Sequence, residues 1–413
     1  MVQTGSKGED KMKVSITPGK ASGVVLAPPS KSMAHRVLIC AGLSDGESII
    51  DHIELSEDIQ ATLGMLEALG ATYRMQNRRV IINGIGHKEP EISGVLDSKE
   101  SGSTLRFFIP IVLAKGQECH FTGAKRLFER PLGVYEKLCK EQGIVFEKRE
   151  EGLYVKGQLE ARKYQVPGDV SSQFITGLLF ALPLLETDSI LEILPPIESK
   201  PYIHMTLAAL QMFGINIQQD GNVFQIPGNQ VYQKANVTVE GDYSNAAFLE
   251  AFNLLDGDVK VEGLRKDSLQ GDKIYRQYYE ELQTEAPVID LTECPDLGPI
   301  LMGMAATKHG ARFVGTRRLK MKESDRGAVM AEELQKFGIR VDVGENEIIV
   351  YDGELKPPSK ILCGHNDHRI VMTLATICTM TGGTIEDAEA VRKSFPSYFD
   401  VISDLGVQIA RED

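Results

Sequence analysis

The chain repeats a short pattern of glycine, two strands and a second glycine, and this repeat limits the folds that it can adopt. Four copies, with Gly-to-Gly spacings of 14, 14, 14 and 15 residues, cover residues 70–84, 143–157, 214–228 and 338–353. A fifth copy begins at Gly406. The first glycine suits a left-handed residue that ends a helix, and the alternating apolar positions after it predict a hairpin, with Asp220-Gly221 as a turn signal. Repetition at a fixed period indicates copies of one supersecondary unit.

A second pattern, independent of the glycines, places a polar loop before an apolar helix. The loops centre on Ser32, Ser103, Ser172, Ser244, Asp296 and Asp367, with separations of 71, 69, 72, 52 and 71 residues. Six units of about 70 residues therefore fit the chain. The short interval, between Ser244 and Asp296, lacks the expected hairpin, and we interpret it as a fifth unit shortened by about 20 residues. We predict an α/β protein made of small α+β repeats in two groups of three.

Composition removes several classes of protein. The 413 residues carry a net charge of −13, whereas a nucleic-acid-binding protein normally has a basic face. No apolar run approaches the ~18 residues of a membrane span, and the polar N-terminus is not a secretory signal. Six cysteines without metal-ligand spacing suit reduced thiols and predict no metal site. We expect a cytoplasmic protein that binds neither nucleic acid nor membrane, with residues 1–12 as a disordered lead-in.

The cations of this acidic chain gather at the starts of the predicted helices. Helix N-termini favour anions because their N–H groups are unpaired and the helix dipole is positive there. If the segment is helical, Lys322 and Arg326 lie on one face. Each loop alone also fits a capped helix or a surface ion pair, but together they predict small polyanionic ligands. No P-loop and no convincing Rossmann motif occurs, so nucleotide chemistry is not expected. The clustered cations are Lys31, Arg36, Arg106, Arg130, Lys322, Arg326, Arg369 and Lys393.

The loop motifs, taken in order, resemble those of the 5-enolpyruvylshikimate-3-phosphate synthase family. They read PSKSMAHR, GSTLR, FERP, SSQF, SKPY, PD, KESDR, NDHR and KSFPSYF, and the resemblance extends from about residue 13 to 411. It implies a two-domain, inside-out α/β barrel of six βαβαββ units, three per domain, here with the fifth unit shortened. The expected domains are residues 29–240, and residues 13–28 together with 241–413, because the first strand of the family belongs to the second domain.

The resemblance also implies an activity. Members of the family transfer the enolpyruvyl group of phosphoenolpyruvate to the 5-hydroxyl of shikimate 3-phosphate and release phosphate, in the pathway to the aromatic amino acids. The C3 atom of phosphoenolpyruvate is protonated while the hydroxyl attacks C2, and the tetrahedral intermediate then loses phosphate. No metal or organic cofactor is needed. We expect a monomer with these two small-molecule substrates, and glyphosate as a candidate inhibitor.

The matching motifs assign the site residues. For shikimate 3-phosphate they are Lys31, Ser32, Arg36, Ser171, Ser172, Gln173, Ser199, Tyr202, Asp296 and Lys322. For phosphoenolpyruvate they are Lys31, Gly102, Arg130, Gln173, Arg326, Arg369 and Lys393. The expected catalytic residues are Asp296 as the base for the hydroxyl, Glu323 for proton transfer at C3, Lys31 and Lys322.

Some positions depart from the family pattern. Pro29 replaces a frequent Gly, Glu100 stands where many members have Asn, and Arg318 stands where some have Asn. The shortened unit lies between Asp272 and Asp290, directly before the proposed base. Two other functions therefore stay open. One is the UDP-N-acetylglucosamine enolpyruvyl transferase, which usually has a Cys in the loop equivalent to residues 123–131, where this chain has none. The other is a non-catalytic relative that binds shikimate phosphate.

Overall fold

Short strands and helices alternate along the chain. The computed structural model describes residues 12–86 and 95–412. Its strands are β1 (Lys13–Ile16), β2 (Ser22–Leu26), β3 (Glu47–Asp51), β4 (Thr72–Gln76), β5 (Arg79–Asn83), β6 (Val95–Asp97), β7 (Glu118–Thr122), β8 (Val145–Arg149), β9 (Gly152–Lys156), β10 (Lys163–Pro167), β11 (Ser189–Leu194), β12 (Gln218–Asp220), β13 (Val223–Ile226), β14 (Asn236–Thr238), β15 (Asp258–Glu262), β16 (Val288–Asp290), β17 (Ala311–Val314), β18 (Val341–Val343), β19 (Glu347–Val350), β20 (Leu362–Cys363), β21 (Gly383–Glu386) and β22 (Ile409–Glu412).

The helices connect these strands. They are α1 (Lys31–Leu43), α2 (Glu57–Ala68), α3 (Gly102–Ala114), α4 (Lys125–Glu129), α5 (Gly133–Glu141), α6 (Ser172–Ala181), α7 (Lys200–Met212), α8 (Tyr243–Glu250), α9 (Tyr275–Thr284), α10 (Gly298–Ala306), α11 (Arg326–Lys336), α12 (His368–Thr381) and α13 (Tyr398–Asp404). Several 3-10 turns lie between them, including Gly271–Ile274, Pro295–Leu297, Arg317–Met321 and Ala388–Lys393.

Five sheets repeat one strand order, as expected for copies of one unit. In each sheet a parallel pair is followed by an antiparallel pair, which is a hairpin in the first four of these sheets. The orders are β14-β3-β5-β4, β6-β7-β9-β8, β10-β11-β13-β12, β16-β17-β19-β18 and β20-β21-β1-β22. The fold is therefore of the mixed α/β type, as predicted. The described strands form separate sheets rather than one closed barrel, and the inside-out barrel stays a prediction.

The repeated glycines fall where the sequence pattern placed them. Gly70, Gly143, Gly214 and Gly338 each precede a hairpin and have φ values of 99°, 66°, 77° and 87°. A residue with a Cβ is disfavoured at positive φ, which explains the repeated glycine. The turn of the third hairpin is Gly221-Asn222, with φ of 59° at Gly221, one residue later than the turn that we expected.

The shortened unit is the fourth in chain order, and its assignment as the fifth was wrong. Its sheet has two strands, β2 and β15, in parallel. After β15 the chain forms α9 and then enters β16 of the next sheet, without a hairpin. The fifth unit, which contains Asp296, has a full four-stranded sheet. The error came from assigning the missing hairpin to the unit of the Asp296 loop, which follows it. It belongs to the unit of the Ser244 loop, which precedes it.

Two of the four-stranded sheets are completed by distant parts of the chain. In the first unit β14 pairs in parallel with β3, so that residues 236–238 supply the outer strand. In the last unit β1 lies between β21 and β22 and takes the place of a hairpin strand. The chain therefore passes between its two halves near residues 26–31 and again near residues 238–243.

The buried apolar side chains form two clusters. One contains residues between Met33 and Val239, and the other contains Met12 to Ala21 together with residues from Tyr243 to Val407. Each cluster fills the space between the sheets and helices of three units. The expected domain boundaries, 29–240 against 13–28 with 241–413, follow this division but stay a prediction.

Of the expected lead-in, residues 1–11 lie outside the described residues. Met12 is instead 8% exposed, and its backbone N–H donates to Glu389 Oε2 at 3.0 Å. All six cysteines are described and are free thiols, with Cys363 the least buried. Within the described residues, none of the helices has the length and apolar character needed to cross a membrane.

Candidate active site

A cleft between the two halves brings most of the predicted site residues together. Its walls include Lys31, Ser32, Arg36, Gly102, Arg130, Ser171, Ser172, Gln173, Tyr202, Asp296, Lys322, Glu323, Arg326 and Arg369. Among the predicted site residues, Ser199 and Lys393 do not line it. Ser199 nevertheless accepts a hydrogen bond from Arg318 Nη1 at 2.7 Å, and Arg318 is part of the wall.

Among the helices that begin at this cleft, with residues of their first turns in its walls, are α1, α3, α6, α8 and α12. A side chain caps each of these helices by accepting a hydrogen bond from a backbone N–H of the first turn. The caps are Ser30, Ser101, Ser171, Asp242 and Asp367. The repeated unit thus delivers helix N-termini, which favour anions, to one place.

Arg36 is held rigidly on one wall. Its guanidinium donates to Thr206 Oγ1 at 2.9 Å, to the Ser32 carbonyl at 2.7 Å and to the Tyr202 carbonyl at 3.0 Å. Burial lowers the pKa of Arg36 to about 10, so the side chain is still a cation at neutral pH. A fixed, desolvated guanidinium binds an anion more strongly than one in water does.

Lys31 lies where the halves meet. Its ammonium contacts Asp58 Oδ2 at 2.6 Å, and its backbone N–H donates to Asp242 Oδ2 at 3.0 Å. Asp58 belongs to α2 of the first half, whereas Asp242 caps α8 of the second. An anionic ligand of Lys31 would share or replace the Asp58 carboxylate.

Gly102 allows two arginines to approach the backbone. A Cβ atom at this position would lie 2.7 Å from Arg130 Nη1 and 2.9 Å from Arg106 Nη1. Arg106 donates to Gln173 Oε1 at 2.7 Å, and Gln173 Nε2 donates to Ser103 Oγ at 2.9 Å. Burial, then the nearby Arg130, lowers the pKa of Arg106 to about 9. The region is a compact set of donors suited to a carboxylate or a phosphate.

Asp296 is surrounded by donors from both halves. Its Oδ1 accepts from Lys322 Nζ at 3.0 Å and from Arg326 Nη1 at 2.9 Å. Its Oδ2 accepts from the Tyr202 hydroxyl at 3.1 Å and lies 3.5 Å from Arg369 Nη2. Burial alone would raise the pKa of Asp296, but Arg369, Lys322 and Arg326 hold it well below the ordinary value. The group is therefore ionised.

Arg326 is the most buried cation of the cleft, at 1% exposure. Besides Asp296 it contacts Glu323 Oε2 at 2.8 Å and Asp367 Oδ2 at 2.8 Å. Burial would raise the pKa of Glu323, but Arg326 and Arg130 keep it well below the usual range. Lys322 and Arg326 would share a helical face only if a helix covered both, and none does. Lys322 follows the 3-10 turn Arg317–Met321, and Arg326 opens α11.

Arg130 and Lys393 make contacts between the halves. Arg130 Nε donates to the Met321 carbonyl at 3.1 Å. Lys393 Nζ contacts Glu100 Oε2 at 2.5 Å and the Asn366 carbonyl at 2.6 Å. Glu100, one of the departures from the family pattern, thus neutralises a cation that the motifs assigned to phosphoenolpyruvate.

Several residues of the walls were missed as site residues. They include His35, Asp58, Ser244, Asp272, Arg318 and His368. His35 and His368 lie inside the quoted motifs, so their neighbours gave a signal. Burial lowers the pKa of both well below the ordinary value, so they are neutral. Asp58 and Asp272 lie outside the motifs, and no spacing in the sequence identified them.

Among the described residues, one group outside the cleft has metal-ligand geometry: Glu332, Glu333 and His365. Glu333 already accepts from Lys336 Nζ with both oxygens, at 2.8 and 2.9 Å, and contacts His365 Nε2 at 2.8 Å. An ammonium on both oxygens fills the positions that a cation would need. This cluster is best explained as a structural ion-pair network.

Comparison with known proteins gives consistent matches over the whole chain. A family model described as EPSP synthase (3-phosphoshikimate 1-carboxyvinyltransferase) matches residues 16–402. The 3-phosphoshikimate 1-carboxyvinyltransferase of Clostridium kluyveri is 40% identical over 425 aligned residues, which cover 96% of this chain and 98% of that protein. A protein of the same name from Clostridium perfringens is 40% identical over 422 residues, with 95% and 98% covered.

Solved structures agree on the fold. A 2.37 Å structure of EPSP synthase from Acinetobacter baumannii matches with a TM-score of 0.78 and 23% identity, covering 97% of this chain and 100% of the other. At that identity the likeness concerns the architecture rather than the chemistry.

Proposed function

Because this chain belongs to the EPSP synthase family, we infer that it is a 3-phosphoshikimate 1-carboxyvinyltransferase, a transferase of the shikimate pathway and of aromatic amino-acid biosynthesis. One observation carries this conclusion. Motif residues that are separated by up to about 340 positions in the chain, from Lys31 to Arg369, lie in one cleft. The relatives of that name are matched over 98% of their length, so the proposed activity is that of the whole enzyme rather than of one of its domains.

The charge of the cleft supports two anionic substrates, phosphoenolpyruvate and shikimate 3-phosphate. Eight Lys or Arg side chains and five carboxylates are among its described lining residues, in a chain whose net charge is −13. A cleft that holds more cations than carboxylates concentrates small anions, even in a protein whose net charge is negative. The cations are also buried, which strengthens each contact with a phosphate or carboxylate oxygen.

The wall formed by α1, α6 and α7 is the proposed site of shikimate 3-phosphate. Arg36, fixed by several acceptors, would neutralise the phosphate, and the hydroxyls of Ser32, Ser171 and Ser172 would donate to its oxygens. Ser199 and Gln173 would complete this wall. Tyr202, whose hydroxyl lies 3.1 Å from Asp296, would place the ring of the acceptor beside that carboxylate.

Phosphoenolpyruvate would lie next to it, between Gly102, Lys31, Arg130 and Arg369. Each of these arginines has a protein partner that a ligand could replace or share. Arg326 differs, because three carboxylates occupy its guanidinium. For Arg326 to hold phosphoenolpyruvate, one of these carboxylates must exchange for the substrate. Lys393 must likewise release the Glu100 carboxylate before it can bind the substrate.

The chemistry follows from these positions. Asp296, oriented by Lys322 and Arg326, would take the proton from the attacking hydroxyl, and Lys31 and Lys322 would stabilise the charge that develops. Glu323, once it has bound a proton from solvent as the substrates arrive, would supply the proton to C3 and remove it again as phosphate leaves. In the free protein both carboxylates are ionised and weakly basic, since cations depress each pKa. Anionic substrates would draw these cations toward themselves and thereby make the carboxylates more basic.

The finer architecture belongs to the same proposal. We propose two domains, each an inside-out barrel of three units, that close on the substrates. The two apolar clusters support the division, and contacts across the cleft such as Arg130 to Met321 support closure. A monomer that acts in the cytoplasm is our expectation.

A phosphate-release assay tests this function. Purified protein with phosphoenolpyruvate should release phosphate when shikimate 3-phosphate is present and not when UDP-N-acetylglucosamine replaces it. Release with the nucleotide sugar alone would support the other transferase. Binding of shikimate 3-phosphate without release would support a non-catalytic relative. As an internal control, Arg130→Ala should abolish most of the release while leaving the thermal transition within a few degrees.

A further inference from the structure

The short unit, which lacks a hairpin, contributes a carboxylate to the cleft. Asp272 lies in the 3-10 turn Gly271–Ile274, between β15 and α9. It lines the cleft and is 5% exposed. Its Oδ1 atom is buried and has no hydrogen-bond partner among the described residues. A buried carboxylate oxygen without a partner is costly, and such a group calls for an explanation.

The turn that carries Asp272 is fixed in place from several sides. A Cβ atom on Gly271 would lie 2.7 Å from Pro201 Cγ and 3.1 Å from the Glu293 carbonyl oxygen, so the glycine backbone packs directly on both. Gln270 Nε2 donates to the Gly241 carbonyl at 2.8 Å, and Gln270 Oε1 accepts from the Tyr243 N–H at 3.0 Å. Pro201 precedes Tyr202, and Glu293 comes three residues before Asp296. Asp272 is therefore held in the same cleft as the proposed base, near enough for the charge of Asp296 to act on it.

The neighbours of Asp272 come from every element packed around it. The titratable and charged groups among them are Tyr202 on α7, Asp242 at the cap of α8, Cys294 and Asp296 before α10, and Arg369 on α12, with the Ser244 hydroxyl on α8. Burial, followed by repulsion from Asp296, raises the pKa of Asp272 to about 7, although Arg369 and Ser244 act in the opposite direction. The two carboxyl groups thus differ strongly in basicity.

We propose that Asp272 holds the proton that is removed from the acceptor hydroxyl, and that Asp296 passes the proton to it. This inference rests on the function proposed above. The acceptor O–H bond breaks as its oxygen bonds to C2 of phosphoenolpyruvate, and the proton moves through Asp296 to the unpartnered Oδ1 of Asp272. Glu323, which binds a proton from solvent when the substrates draw its cations away, gives that proton to C3 and later takes it back. When the bond between C2 and the phosphate oxygen breaks, the departing phosphate takes the proton from Asp272 and leaves as hydrogen phosphate.

The proposal explains how a weak base can serve the reaction. Asp296, which three cations hold ionised in the free protein, orients the hydroxyl but retains a proton less firmly than Asp272 does. A partner that binds a proton near neutral pH stores it during the lifetime of the tetrahedral intermediate. Pairs of carboxyl groups whose surroundings separate their basicities divide acid and base roles in this way.

The test compares Asp272→Asn, which keeps the size of the side chain, with Glu293→Gln as the matched control. Glu293 is a nearby carboxylate outside the cleft walls. For the wild type and Glu293→Gln we expect kcat/KM for shikimate 3-phosphate to fall below an apparent pKa near 7. Asp272→Asn should lose this acid limb, with kcat lower by ~10²–10⁴-fold at neutral pH. Calorimetric affinity for shikimate 3-phosphate should change by less than about threefold, since the group acts on a proton rather than on binding.

Two results would overturn the proposal. One is an unchanged acid limb in Asp272→Asn, whether or not activity falls, because a structural role would leave the limb in place. The other comes from ¹³C NMR of the aspartate carboxyl carbons, where a resonance that titrates near neutral pH should be present in the wild type and absent in Asp272→Asn. The lack of such a resonance contradicts the inference even if no turnover is found. A wild type that titrates but does not turn over shikimate 3-phosphate would instead refute the function.

Discussion

Gly102→Ala is the substitution whose effect the geometry defines best. The new methyl carbon would lie 2.7 Å from Arg130 Nη1, 2.9 Å from Arg130 Cζ and 2.9 Å from Arg106 Nη1. An ordinary contact begins near 3.4 Å, so the Arg130 guanidinium must move by about 0.7 Å. It has little freedom, because it is 6% exposed and its Nε is tied to the Met321 carbonyl.

The magnitude follows from the size of this movement. A misplacement of about 1 Å at a substrate-positioning group can cost about 100-fold in rate, so a movement of about 0.7 Å should cost roughly 10- to 100-fold. The loss should appear in kcat/KM for phosphoenolpyruvate. The KM for shikimate 3-phosphate should stay within about twofold, since Arg36 and its partners do not contact the new methyl group. Overpacking should also lower the stability by about 1–3 kcal/mol.

The assay is steady-state phosphate release with each substrate varied in turn, together with thermal unfolding. Gly133→Ala is the matched control, because Gly133 also opens a helix but a Cβ added there would have no atom within 4 Å. That variant should retain wild-type kinetics. If Gly102→Ala folds and keeps the wild-type KM and kcat for phosphoenolpyruvate, then Gly102 and Arg130 do not border that substrate, and this part of the site assignment is wrong.

Three further substitutions probe the fold and the site. Gly64→Ala, within α2 and with open space where the new Cβ would lie, should raise the free energy of unfolding by about 0.5–1 kcal/mol in urea melts, and a decrease would contradict the helix assignment. Glu333→Gln should lower the free energy of unfolding by about 1–3 kcal/mol at neutral pH. Burial opposes ionisation, but His365 and Lys336 lower the pKa of Glu333, so its contribution is present above the ordinary value of 4.5 and lost as pH falls through the lowered pKa. A cost that persists at pH about 2 would argue against this ion-pair explanation. Arg36→Lys should raise the KM for shikimate 3-phosphate by about tenfold or more, because a lysine cannot serve the separated acceptors on Thr206, Ser32 and Tyr202, and an unchanged KM would remove Arg36 from that site.

The fold was predictable from the sequence at positions where the local backbone conformation requires a particular type of residue. The glycines at positions 70, 143, 214 and 338 are required by positive φ, and strand alternation after each one marks the hairpin. The pairings of β14 with β3 and of β1 with β21 were not visible in this way, because they join residues far apart in the chain. The resemblance to the family predicted that the first strand belongs with the second half of the chain. The spacing of the motifs alone did not predict this.

The candidate site was predictable to the extent that its residues lie in loops before helices. Lys31, Ser172 and Arg369 follow this rule, since each opens or nearly opens a helix at the cleft. Asp272 does not, because it belongs to the unit whose regular pattern is interrupted. The condition for pairing Lys322 with Arg326, a helix over both, is not met, because residues 322–326 are divided between the end of a 3-10 turn and the start of α11.

The position of β1 between β21 and β22 has a consequence for synthesis on the ribosome. The N-terminal strand leaves the exit tunnel first, yet its partners are among the last residues made, and the Met12 to Glu389 contact spans 377 positions. At about 5–20 residues per second, β1 waits roughly 20–75 s for them. The half that contains residues 33–239 can bury its core during that interval, while the other half, with Asp296 and Arg369, cannot. A prematurely terminated chain would therefore present one folded half with an unpaired strand before it.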